Sequence, residues 1–130
     1  MADRVLLVED DFLLQLATRK ALELIGYSCV VVDNGEAAVQ KADKEFDIVF
    51  MDINLPGIDG MEATRQIRKN EADNATKRVP IVALTSTTNI KQCLQAGMDD
   101  FMSKPALMDD LKSMIAKWTI WACKLSLCMQ

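Results

Sequence analysis

Short apolar runs alternate along the chain with stretches whose apolar residues recur at helical spacing. Residues 5–8 (VLLV) are continuously apolar, as expected of a strand covered on both faces. Leu14, Ala17, Thr18, Ala21, Leu22 and Ile25 then repeat with helical period, and Gly26 stops them. Residues 29–32 read as a second strand, and Asn34-Gly35 as a turn into a short helix through Ala38, Val39 and Ala42. A third strand over 46–51 ends directly at Asp52. A loop with Pro56, Gly57 and Gly60 leads into a helix through Met61, Thr64 and Ile67, and residues 70–78 read as a polar connection. Residues 79–84 form a fourth strand ending at Thr85. Ile90, Cys93 and Leu94 predict a short helix stopped by Gly97, and residues 101–103 a fifth strand ending at Lys104-Pro105. Leu107, Leu111, Met114, Ile115 and Trp118 trace the last helix.

Strands alternating with helices predict right-handed crossovers and a doubly wound, five-stranded parallel sheet with five helices, covered on both faces. No repeat, linker or biased segment interrupts the pattern. One α/β domain is expected over residues 1–118, with 119–130 extending the last helix.

Composition narrows the chemistry. Half of the 130 residues are hydrophobic and 26% are charged, a globular balance that excludes disorder. The formal charge is −4; up to Asn74 there are 8 basic and 15 acidic residues, and after it 7 and 4. No basic block points to nucleic acid. Histidine is absent, which excludes a Ser-His-Asp triad, a His-ligated metal and a phosphohistidine on this chain. Cys29, Cys93, Cys123 and Cys128 form no CxxC pair and no zinc spacing, so free thiols in a reducing cytoplasm are expected. Neither a secretory leader nor a transmembrane segment is read from the sequence.

In open parallel sheets, functional groups gather at the carboxyl ends of the strands. Glu9, Asp10 and Asp11 follow the first strand, Asp52 the third, Thr85 the fourth and Lys104 the fifth. Taken singly, each is equally a solvated surface group; together they form a chemical set. Like charges about 4 Å apart repel by about 4 kcal/mol at an effective dielectric of about 20. Clustered carboxylates therefore take up a proton or bind a divalent cation, and oxygen donors favour Mg²⁺ or Mn²⁺. With a metal, an ammonium and a hydroxyl present, one aspartate is equipped to accept a phosphoryl group.

The segments VLLVEDD, MDINLPGIDGMEATRQIR, VPIVALTS and GMDDFMSKP resemble, in this order, the receiver domains of two-component response regulators. The resemblance covers about residues 4–118, and DGMEATRQIR and GMDDFMSKP look most similar to receivers of hybrid sensor kinases or stand-alone phosphorelay receivers. It implies a flavodoxin-like (CheY-like) three-layer sandwich with Asp52 as phosphoacceptor. By position, Asp10 would bind Mg²⁺ directly, Glu9 through water, and Asp52 and the Asn54 main-chain carbonyl would complete the protein ligands. Asp11 reads instead as a helix-start residue. The Asn54 side chain would tune access of water to the phosphoryl group. Thr85 and Lys104 would meet the phosphoryl oxygens, with a cis Lys104–Pro105 peptide. Phe101 stands at the position of the family's switch aromatic, simple core packing being the other reading of it.

The resemblance further implies a histidine kinase or histidine phosphotransfer protein as donor. A downstream protein would be reached through the face of helix four, strand five and helix five. Such a chain is a cytoplasmic signalling phosphoacceptor and no turnover enzyme, catalysing only its own phosphoryl transfer and dephosphorylation. Two other classes compete: a non-phosphorylated pseudo-receiver that serves as an interaction module, and an aspartate-nucleophile phosphatase. The second usually places another aspartate two residues after the nucleophile, where this chain has Asn54.

Two features depart from the family. The stretch from Thr85 to Lys104 is a few residues shorter than usual, which predicts a short or displaced helix four, and Ser86 and Thr87 also stand where phosphoryl access is controlled. Beyond Trp118 the apolar stripe continues through Trp121 or Ala122, Leu125 and Cys128. It reads as a longer helix on the same domain, a partner or homodimer surface, or a membrane-surface helix with Lys117 and Lys124 as its only cations.

Overall fold

The computed structural model describes residues 4–42, 46–85 and 90–128, with side chains as far as Thr119. Its elements are β1 (Arg4–Val8), α1 (Phe12–Ile25), β2 (Ser28–Val32), α2 (Gly35–Lys41) and β3 (Ile48–Asp52). They continue with α3 (Gly60–Asn74), β4 (Ile81–Thr85), α4 (Ile90–Ala96), β5 (Asp100–Ser103) and α5 (Met108–Cys128). The five strands form one parallel sheet in the order β2-β1-β3-β4-β5.

Alternate strand residues serve two cores. Val5, Leu7, Ile48, Phe50, Val82 and Leu84 pack with Leu22 of α1 and with Leu111 and Ile115 of α5. Leu6, Val8, Val49, Met51, Ile81 and Ala83 meet Ala38 of α2, Ala63 and Ile67 of α3, and Cys93 of α4. The continuously apolar strands thus answer to helices on both faces. Each large side chain fully buried this way contributes about 1.5–3 kcal/mol. Because β1 lies between β2 and β3, the winding direction reverses between β1 and β3, and a crevice opens at their carboxyl ends.

Helix starts follow side-chain chemistry. Asp11 caps α1, accepting from the Leu13 and Leu14 N–H groups, as its reading as a helix-start residue requires. Asn34 caps α2 through the Ala37 N–H, and Asp59 caps α3 through the Glu62 N–H. Gly26 closes α1 in the left-handed region at φ 108°.

Three boundaries differ from the sequence pattern by two residues or more. α3 continues through Asn74 where a polar connection was expected from residue 70, because Arg68 pairs with Glu71 one turn on and the Asn74 amide bonds the Asn70 carbonyl. β4 begins at Ile81, since Pro80 has no N–H for a ladder and the Val79 N–H is taken by Glu71. β3 begins at Ile48. The expected short helix four is present, with seven residues.

At the amino ends of β4 and β5 an ion-pair network joins α3 to the sheet. Arg68, 13% exposed, donates to Glu71, to Asp99 and to the Val79 and Gly97 carbonyls. Asp99 also accepts from Arg78 and from the Ile81 N–H. Cys29 and Cys93 are free thiols, and burial pushes Cys29 up to about 11. Among the described residues no helix is long and apolar enough to cross a membrane. Ser86, Thr87 and the side chains of Trp121, Ala122, Cys123, Leu125 and Cys128 lie outside the described residues, although the α5 backbone runs to Cys128.

Candidate functional site

The crevice at the carboxyl ends of β1 and β3 holds Glu9, Asp10 and Asp52, which each bring one carboxylate oxygen within 4.8 Å of the others'. Glu9 and Asp52 are each 2% exposed, while Asp10 faces solvent. From the end of β5, Lys104 reaches across with Nζ 3.0 Å from Glu9 Oε1 and 2.9 Å from Asp52 Oδ2. The Lys104–Pro105 peptide is cis. Four residues from three segments far apart in the chain therefore share one pole of the sheet.

Main-chain groups hold the carboxylates in place. The Asn54 N–H donates to Asp52 Oδ1 at 3.0 Å and the Asp11 N–H to Glu9 Oε2 at 3.2 Å. The Gln15 amide donates to the Glu9 carbonyl. Gly60 packs directly on the β3 end, where a Cβ would collide with the Asp52 carbonyl oxygen, and its N–H bonds the Ile53 carbonyl. Gln15 and Gly60 were not singled out as site residues from the sequence. Gln15 belongs to a helix face without motif, and Gly60 reads there as an ordinary loop glycine.

The electrostatics follow from crowding. Burial raises the Glu9 carboxyl above 4.5 and its hydrogen bond with Asp52 adds to this, against the opposing pull of Lys104 and the Asp11 N–H. For Lys104, burial works to lower the ammonium, but the hydrogen bonds and charges of Asp52 and Glu9 prevail, and it stands above 10.5. One ammonium offsets only part of the charge of three carboxylates. The remainder suits a hard divalent cation with oxygen ligands.

The other expected residues stand around this cluster. Thr85 ends β4, is 4% exposed, and its carbonyl accepts from the Lys104 N–H at 3.1 Å. Asn54 is exposed immediately after β3. Phe101 pairs in register with Ala83, below the sheet edge, and is 40% exposed. Simple core packing is therefore not its role here. The structure does not bring Phe101 into the acidic cluster.

A family model for the response regulator receiver domain matches residues 5–116. The chain belongs to this family. As a receiver domain it is similar to part of the sensor protein GacS of Pseudomonas syringae pv. syringae, 41% identical over 122 residues, covering 91% of this chain and 14% of that protein. It is also similar to hybrid signal transduction histidine kinase A of Dictyostelium discoideum, 38% identical over 120 residues, covering 88% and 6%. The receiver thus spans a small part of the length of these curated relatives.

Among solved structures, one match is the receiver domain of sensor histidine kinase PA1611 from Pseudomonas aeruginosa PAO1, with a magnesium ion coordinated in its active site cleft. It has a TM-score of 0.81 and 36% identity, over 92% of this chain and 98% of that one. Another is a chain of the co-crystal structure of the Saccharomyces cerevisiae histidine phosphotransfer signaling protein Ypd1 and the receiver domain of its downstream response regulator Ssk1. Its TM-score is 0.86 with 30% identity, over 92% of this receiver and 90% of that chain.

Proposed function

We propose that this receiver domain accepts a phosphoryl group on Asp52 from the phosphohistidine of a histidine kinase or histidine phosphotransfer protein. The observation that carries the reading is the convergence of Glu9, Asp52 and Lys104 from three separate strand ends. Glu9, Asp10, Asp52 and the Asn54 main-chain carbonyl would hold Mg²⁺ or Mn²⁺, which supplies charge neutralisation for the phosphoryl oxygens. An Asp52 carboxylate oxygen attacks phosphorus, the new P–O bond forms as the P–N bond breaks, and the donor imidazole leaves. Lys104 pairs with a phosphoryl oxygen in place of the Asp52 oxygen it now contacts, and Thr85 meets another through its hydroxyl.

The phosphoryl group adds about −1.5 to −2 of charge at this pole. Thr85 and Phe101 would respond as the switch pair and bias the face of α4, β5 and α5 toward a downstream protein. Catalysis is confined to the domain's own phosphorylation and dephosphorylation, in the cytoplasm. Residues 1–118 form the receiver and 119–130 an extension of α5.

Incubation with radiolabelled acetyl phosphate and Mg²⁺ tests this reading. The wild-type chain takes up acid-stable, base-labile label, and Asp52→Asn takes up none. Label at the normal rate on Asp52→Asn would overturn the assignment.

A further inference from the structure

The segment between the phosphoacceptor and α3 is braced by a helix that contributes none of the site's side chains. Gly35, buried at the first position of α2, lies so near this segment that a Cβ on it would meet Ile58 Cγ1 at 2.7 Å and the Ile58 carbonyl oxygen at 2.8 Å. The next residue, Glu36, touches the same segment. Its carboxylate lies where a Cβ on Gly57 would meet Oε2 at 2.7 Å. Ile58 and Leu55 in turn pack against the core shared by α2 and α3. Asn34 holds this end of α2 by capping the Ala37 N–H at 2.7 Å.

We infer that the first turn of α2 is a positioning element of the phosphoacceptor site. Gly35 lets Ile58 seat directly on the helix backbone and so sets the path of residues 53–59, including the main chain of Asn54. The inference rests on the reading of Asn54 as a contributor to the metal site. Segments that orient ligands influence metal affinity without touching the ion. Any side chain at position 35 pushes this segment away from α2. Truncation of Ile58 leaves it without its seat.

The test uses the full chain with Gly35→Ala, Ile58→Ala and, as a control, Gly26→Ala. The control strains a left-handed residue at φ +108° whose Cβ would have nothing within 4 Å. Mg²⁺ affinity is measured by isothermal titration calorimetry, exchange of the Asn54 amide by NMR, and folding by far-UV circular dichroism and melting. Gly35→Ala and Ile58→Ala are expected to stay folded, to weaken Mg²⁺ binding about tenfold and to exchange the Asn54 amide faster. Gly26→Ala is expected to melt lower with neither change. The inference is overturned if both site variants keep wild-type affinity and exchange, or if Gly26→Ala shifts both as much. Should Gly35→Ala fail to fold, Ile58→Ala decides alone. If the wild-type chain binds no Mg²⁺, the metal reading fails and Asn54 exchange alone decides the positioning role.

Discussion

Lys104 contacts Asp52 at 2.9 Å across 52 residues of sequence, and the same ammonium lies 3.0 Å from Glu9. It therefore occupies the charge that an entering cation would use. At the proposed site, metal entry and the lysine would compete for the same oxygens. Lys104→Met is expected to bind Mg²⁺ at least as tightly as wild type while slowing acetyl phosphate labelling about a hundredfold at saturating metal, the usual cost of one missing donor to a developing oxyanion. Calorimetry and labelling kinetics on one preparation separate the two effects. Weakened Mg²⁺ binding would contradict the competition.

Glu9 makes the metal-free fold pH-dependent. Burial, with help from Asp52, lifts its carboxyl above 4.5, so the folded chain keeps a proton that the unfolded chain has already released. Its contribution to stability is full below 4.5 and is lost as pH rises through the folded-state value. Mg²⁺ affinity would run the other way, because the proposed site needs Glu9 ionised. Urea midpoints at a series of pH values from 4.5 upward, without metal, should fall with pH in wild type. The Glu9→Gln curve should be flatter.

Asp100 has the opposite sign. Burial works to raise its carboxyl, yet Lys117 Nζ at 2.6 Å, the Phe101 N–H at 2.9 Å and Trp118 Nε1 at 3.1 Å outweigh it, and it stands below 3.8. Its stabilisation is present above 3.8 and disappears as pH falls through the lower folded-state value. Water screens the contribution of Lys117, whose side chain is 61% exposed. Asp100→Asn is expected to lose about 1 kcal/mol at neutral pH and to shift tryptophan emission through Trp118. Denaturant titration and fluorescence read both.

Arg68 is expected to govern stability without governing chemistry. Its removal leaves Glu71 and Asp99, 12% and 11% exposed, without their main cation. Arg68→Met should lower unfolding free energy by about 3 kcal/mol and leave Mg²⁺-dependent labelling of the folded fraction unchanged. A selective loss of labelling would show that the network reaches the site.

Much of this is legible in the sequence. Strands buried on both faces must be apolar at every position, so 5–8 and 79–84 stand out, and the polar residues at the strand ends, Glu9, Asp10, Asp52, Thr85 and Lys104, locate the site. What escaped was whatever depends on one segment meeting another. The last turn of α3 has Ala72 as its one apolar residue, and its stability comes from the Arg68–Glu71 pair and the side-chain bond of Asn74, which have no periodic signature. Gly35 and Gly60 read as turn glycines until the fold brings Ile58 and the Asp52 main chain against them. Phe101 offered two readings, and its exposure removes the core one.

The Arg68–Glu71–Asp99–Arg78 network sits at the amino ends of β4 and β5, and the acidic cluster at the carboxyl ends of the strands. Five residues of β4 separate the two systems, about 16 Å of strand. The sheet thus works as a spacer between two charged poles. The clasp that keeps α3 on the sheet is built from ion pairs that share no member with those of Glu9, Asp52 and Lys104 among the described residues, so each pole can be altered by substitution with the other left whole.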